Sequence, residues 1–201
     1  MKILRVLIPT VLLCFLILSV LPVHGEQAVY ENVIRLHVIA NSDSPVDQRL
    51  KLSVRDAVLA LCAPQLCSCT DRAQAEAVVA SLSDEIQATA EKALRAEGCH
   101  DAVTVELGKE PYPEKRYERL CFPSGEYLSL RIRIGEAEGQ NWWCVLFPPL
   151  CLSAATAKEA EEAFVAVGFT PEQYRIITRT DQVTYKLRFK FLELFQRSSE
   201  N

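Results

Sequence analysis

Glu126-Tyr127-Leu128-Ser129-Leu130-Arg131-Ile132-Arg133-Ile134, the turn Gly135 to Gln140, and Asn141-Trp142-Trp143-Cys144-Val145-Leu146-Phe147-Pro148-Pro149 form the stretch that decides the fold class. In the first run Leu128, Leu130, Ile132 and Ile134 alternate with Tyr127, Ser129, Arg131 and Arg133. That two-residue period belongs to a strand with one face inside and one outside. In the last run Trp142, Cys144 and Leu146 point one way, and Trp143, Val145 and Phe147 the other. Both faces are apolar, which suits a strand covered on both sides, or one with a side offered to a partner. Pro148-Pro149 ends the ladder, because neither residue donates a backbone hydrogen bond. Residues 116–122 precede the turn Pro123-Ser124-Gly125. Three successive strands with short turns predict an antiparallel meander.

Upstream, residues 32–40 are rich in β-branched side chains and read as a strand. Arg35 and His37 share one face, while Ile34, Leu36 and Val38 share the other. Asn41-Ser42-Asp43 makes a turn. A helix then starts with Ser44 as cap, Pro45 at the first position and Asp47 closing a capping box. Val46, Leu50, Val54, Ala57, Val58 and Leu61 are spaced as its buried stripe to about Cys62. A loop with Pro64 leads to a second helix from about Asp71 to Glu97, stopped by Gly98. Residues 102–107 predict another strand, and 156–167 a helix ending at Gly168. The stretch 183–195 fits either period, and a closing amphipathic helix from about Lys186 is preferred. This order predicts a single α+β domain, an antiparallel sheet packed with two or more helices.

The chain has 201 residues and a net charge of −4 at pH 7. The length suits one domain with a substantial core. The charge leaves no overall footprint for nucleic acid. Arg131 and Arg133 with Lys115 and Arg116 make a modest basic face or a plain solvated one. At the N-terminus Lys2 and Arg5 precede an apolar run from Val6 to Leu21, followed by Pro22-Val23-His24-Gly25. Residues 1–25 therefore read as a signal peptide or an uncleaved membrane anchor, with residues 26–201 delivered outside the cytoplasm.

Export permits disulfides. Of the eight cysteines, Cys14 lies in the leader and an odd number remain, so at least one thiol is free or pairs with another chain. Cys144 and Cys151 are the expected pair, because the proline turn brings the chain back between them. Closing that short loop stabilises by roughly 2.5 kcal/mol. Cys62, Cys67 and Cys69 pair among themselves or with Cys99, or join Cys99-His100 around zinc. Their spacing matches no ribbon or finger template, and no metal is assigned.

His37 with Ser42 and Asp43 supplies the residue types of a secreted hydrolase: base, nucleophile and orienting carboxylate. His37 projects from a strand, however, and Ser42 and Asp43 lie in a turn that suits helix capping. No Gly-x-Ser-x-Gly elbow is present. Arg35, His37, Asn41 and Asp43 are better read as a structural or binding cluster, and no catalytic residue or cofactor is assigned. Trp142 and Trp143 face opposite ways on a strand, so one can belong to the core while the other anchors a partner.

Two blocks carry a resemblance. The first is Ile34-Arg35-Leu36-His37-Val38-Ile39-Ala40-Asn41-Ser42-Asp43-Ser44 followed by Asp47-Gln48, Leu50-Lys51 and Val54-Arg55-Asp56. The second runs from Pro123-Ser124-Gly125-Glu126-Tyr127 through Asn141-Trp142-Trp143-Cys144 to Pro148-Pro149-Leu150-Cys151. Together with the apolar N-terminus they resemble the stage II sporulation protein R family over most of the chain. The resemblance implies a protein made in the forespore and exported into the space between forespore and mother cell. It further implies a signalling ligand that triggers a membrane-embedded aspartic protease of the mother cell, which cleaves the sigma-E precursor. On that reading Arg35, His37, Asn41, Asp43, Asn141, Trp142 and Trp143 are the expected partner-binding residues.

Overall fold

The structure, a computed structural model, describes residues 10–11, 29–117, 120–149, 162 and 164–178. All of these except Thr10 and Val11 lie in one compact unit within Gly25–Thr180. Most of the expected leader, Cys151 and the stretch 183–195 lie outside the described residues.

Strand β1 covers Ile34–Ile39. Helix α1 follows over Pro45–Leu66, with Ser44 as its cap accepting the Asp47 amide at 3.0 Å and Pro45 in the first turn. The helix runs past the expected end at Cys62 and through Pro64. Leu50, Val54, Val58, Cys62 and Leu66 explain this, because they recur every four residues and are all buried. Pro64 inside the helix costs about 3 kcal/mol, from the lost backbone bond and the clash of its ring with the preceding turn. Burying Leu66 returns roughly 1.5–3 kcal/mol.

The expected second helix is two: α2, Arg72–Ser81, and α3, Ser83–Ala96, broken at Leu82 with φ −92° and ψ 0°. Asp71 caps α2 through the Gln74 amide at 2.9 Å. The break allows Val79 and Leu82 on one side, and Ile86, Ala90 and Leu94 on the other, all to be buried. Gly98, at φ +78°, ends α3. Its amide bonds to Arg95 and that of Cys99 to Leu94, the paired closure of a Schellman motif.

The remaining strands are β2 (Val103–Tyr112), β3 (Lys115–Tyr117), β4 (Leu120–Phe122), β5 (Gly125–Ile134) and β6 (Asn141–Phe147). Residues 116–122, expected as one strand, instead belong to the small β3–β4 antiparallel sheet. The main sheet has the order β2-β5-β1-β6. The α+β class holds, but the meander does not, because β1 lies between β5 and β6. It pairs parallel to β5 and antiparallel to β6, so the sheet is mixed. The reason is burial: Ile34 through Val38 are all buried, which requires strands on both sides and cover on both faces. β2 extends beyond the expected 107 and contains Pro111, which an edge strand tolerates.

Directly paired side chains share a face. The apolar face carries Leu36 between Leu130 and Cys144, and Val38 between Ile132 and Trp142. On the opposite face His37 lies between Arg131 and Trp143, and Arg35 between Ser129 and Val145. Glu106 and Gly108 continue these two rows on β2. Beyond the sheet, residues 164–166 are helical and Gly168 turns the chain at φ +91°, as expected of that segment. A helix not anticipated, α4, follows over Pro171–Thr178. Phe164 packs against Phe169, Tyr174 and Phe122.

Leu66 tests the extended end of α1. Leu66→Ala lowers unfolding free energy by about 2–5 kcal/mol in urea titration. A loop residue there would change it by no more than about 0.5 kcal/mol.

Candidate partner-binding site

The polar face of the sheet is organised around His37, which is 6% exposed. Its Nδ1 lies 3.1 Å from Glu110 Oε1, and its Nε2 lies 2.7 Å from Asn141 Oδ1. A neutral imidazole donates from only one nitrogen. When Nδ1 donates to Glu110 and the ring is neutral, the Asn141 amide nitrogen must face Nε2; when the ring is charged, its oxygen does. Trp143 stacks on the imidazole with centroids 3.7 Å apart and planes 16° from parallel. Lys115 Nζ lies 5.6 Å from the Trp143 ring.

Glu110 also accepts from Arg131 Nη1 at 3.4 Å, and Arg131 Nε donates to Glu106 at 3.1 Å. Burial alone would push the Glu110 carboxyl up. Hydrogen bonds with His37 and Ser129 outweigh it and hold the group below the usual glutamate range. Burial pushes the Tyr112 phenol far up, so it stays neutral and bonds to Ser129 Oγ at 2.6 Å.

Arg35 lies beneath this network and is fully buried. Its Nε donates to the Cys144 carbonyl at 3.0 Å and its Nη2 to Tyr117 Oη at 2.9 Å. Nη1 has no hydrogen-bond partner among the described residues. Four rings surround the guanidinium: Tyr112 at 4.6 Å, Phe122 at 4.8 Å, Tyr127 at 5.2 Å and Tyr117 at 5.9 Å. An unpaired buried ion costs several kcal/mol. Desolvated cation–π contacts, worth about 2 kcal/mol each, offset that. Tyr117 Oη donates onward to the Trp143 carbonyl at 3.0 Å, so Arg35 clamps the β3–β4 hairpin to the sheet.

Asn41 and Asp43 are engaged within the chain. Asn41 Oδ1 accepts the Glu136 amide at 3.0 Å, and Asp43 Oδ1 accepts the Gln140 amide at 2.7 Å. The Glu138 and Gly139 amides bond to the Asn41 and Ala40 carbonyls. A Cβ on Gly139 would meet the Ser42 carbonyl oxygen at 2.3 Å, so only glycine permits this approach. Lys51, 4% exposed, donates to the Gln140 carbonyl at 2.9 Å and to Gln48 at 2.6 Å, and burial pulls its ammonium below the usual lysine range. These bonds hold the loop that delivers Asn141 to His37.

The Ser42 hydroxyl donates to Asp47 and holds that carboxyl below its usual value. With His37 bound to Glu110 and Asn141, and Asp43 to Gln140, the three residue types of the hydrolase reading do not form a triad. Cys62, Cys67, Cys69, Cys99 and Cys121 are free thiols, and burial raises Cys62 to about 11. Among the described residues no group of three His, Cys, Asp or Glu is placed to hold a metal ion. Cys144 is buried in β6; its expected partner Cys151 lies outside the described residues.

The family model for stage II sporulation protein R matches residues 30–157, a span that contains both the Arg35–His37 strand and the tryptophan strand. The chain belongs to the stage II sporulation protein R family. Membership gives it a role in sporulation. Stage II sporulation protein R of Bacillus subtilis (strain 168) is 38% identical over 136 residues, 66% of this chain and 61% of that protein. The match thus spans about three fifths of the relative. No solved structure matches.

Within this family member the two tryptophans do separate by face. Trp142 is 36% exposed, with the Arg55 guanidinium 4.4 Å from its ring, and Trp143 is half-buried against His37. Of the expected residues, His37, Asn141 and Trp143 converge, with Asn41 and Asp43 supporting them through the loop and Arg35 clamping from below. Glu110, Lys51, Tyr112 and Tyr117 were missed. Lys51 stands in the first signature block. Glu110 continues the alternation of Glu106 and Gly108, a signal hidden by ending β2 at Leu107.

Glu110 predicts an acid-side loss of stability. Its folded value is depressed, so its contribution is present above the ordinary glutamate value of about 4.3. That contribution is lost as pH falls through the lower folded value. Glu110→Gln flattens this part of the profile, measured by urea unfolding between pH 3 and 6.

Proposed function

We propose that this protein is an exported signalling ligand that activates a membrane-embedded aspartic protease of the mother cell, leading to processing of the sigma-E precursor. Family membership supports the sporulation setting. The observation that carries a binding role is the aromatic end of β6: exposed Trp142, and Trp143 fixed against His37 by the Glu110–Asn141 pair. Tryptophan is favoured where interfaces concentrate their energy, and a side chain already held in place loses little entropy on binding. The basic and apolar N-terminus supports export to the space between forespore and mother cell, as a secreted or membrane-anchored protein. On this reading the protein acts by binding, with no catalytic residue or cofactor of its own. Among the described residues no helix is long and apolar enough to cross a membrane.

The test is reconstitution of the protease and the precursor in membranes, with and without the full chain. Cleavage should depend on the chain, and Trp143→Ala should lower activation by about tenfold or more while the far-ultraviolet spectrum stays native. Cleavage that proceeds equally without the chain overturns the assignment.

A further inference from the structure

The main sheet ends on two edges, and they are not alike. β6 is buried from Cys144 to Phe147, whereas on β2 Thr104, Glu106, Gly108, Lys109 and Pro111 are all exposed. β2 runs for 10 residues, and its register with β5 shows no shift over that length. The direction of its backbone groups follows from the Gly135 amide, which bonds to the Ala102 carbonyl at 2.9 Å. In an antiparallel ladder successive residues turn their N–H and C=O to alternate sides. Thr104, Glu106, Gly108 and Glu110 therefore bond to β5, and Val103, Val105, Leu107 and Lys109 point theirs away from the sheet. Pro111 agrees with this phase, because its missing N–H falls on the outward side, where an edge tolerates it. Among the described residues no strand pairs with that side. A long edge without bulge or cover is a template for another strand.

We propose that the outward edge of β2 accepts an extended segment of the protein that this chain binds, one with a basic residue between two apolar ones. The inference rests on the binding role argued above and names how the partner is held. Main-chain bonds to Val105, Leu107 and Lys109 supply affinity, and the flanking side chains choose the segment. Val105 and Leu107 are half-buried on the apolar face, paired with Ile132 and Leu130, so the residues added opposite them are apolar. Glu106 lies between them on the other face with its side chain 45% exposed. An opposite charge directly across a strand pair is favourable, so the residue added there is basic. A second copy of this chain fits less well. Every two-fold register centred from Val105 to Lys109 sets Glu106 opposite or diagonal to Glu106 or Glu110 of that copy, and like charges across a pair are destabilising.

Amide hydrogen exchange on the full-length chain in detergent reads the edge directly. In the free chain the Val105, Leu107 and Lys109 amides should exchange fast and those of Glu106, Gly108 and Glu110 slowly. A peptide of alternating valine and lysine should slow the first three in a saturable way, and one of alternating valine and glutamate should not. Lys109→Pro separates the backbone from the side chain. The residue is exposed and its N–H points outward, so the Glu106 and Gly108 amides should stay protected in this variant. In the reconstituted membranes Lys109→Pro should weaken activation by about tenfold, and Lys109→Ala, which keeps the N–H, by less. Slow exchange of the outward amides in the free chain overturns the proposal, because a second copy or the chain itself then fills the edge. No response to the valine–lysine peptide, or full activation by Lys109→Pro, overturns it as well. Slowing by the peptide without any effect of the wild-type chain on cleavage leaves the edge supported and removes the protease reading instead.

Discussion

A guanidinium with no hydrogen bond to a carboxylate among the described residues lies at the centre of this fold, and most of the structure is arranged to make that tolerable. Arg35 is enclosed by Tyr112, Tyr117, Phe122 and Tyr127 and bonds to the Cys144 carbonyl. The rings come from β2, β3, β4 and β5, and the carbonyl from β6, so one cation ties five strands to β1. Removing the charge would leave an aromatic cage around nothing. Removing a ring would expose a cation that then lacks both water and counter-ion.

The polar face follows from that clamp. With the hairpin held over Arg35, Tyr117 reaches the Trp143 carbonyl and Lys115 reaches the Trp143 ring. Trp143 stacks on His37 on the same face, and Asn141 meets the imidazole from the end of the loop fastened by Asn41, Asp43 and Lys51. The first signature block therefore works mainly inward. Its turn residues are bonded to the 135–140 loop, which they hold so that Asn141 meets His37.

Local features were legible. Alternation in residues 126–134 and 141–147 located β5 and β6, the Ser44-Pro45 pair located the start of α1, and Gly98 and Gly168 marked turns. The split at Leu82 was not, because an alanine-rich run has no local preference for a break, and packing of Leu82 and Ile86 decided it. Passage of α1 through Pro64 was likewise decided by the burial of Leu66.

The site divides the same way. Periodicity placed Arg35 and His37 on one face and separated Trp142 from Trp143, since the two-residue repeat of a strand depends only on the backbone. By itself the sequence thus determined β1, β5, β6 and the start of α1, the faces of those strands, and the family signature. Only tertiary structure decided that β1 inserts between β5 and β6, that Arg35 is enclosed, and that Glu110 and Asn141 grip His37 from positions 73 and 104 residues away. The physical reason is range. Local propensity acts over a few residues, whereas strand order and the burial of a charge are set by contacts between segments far apart in the chain.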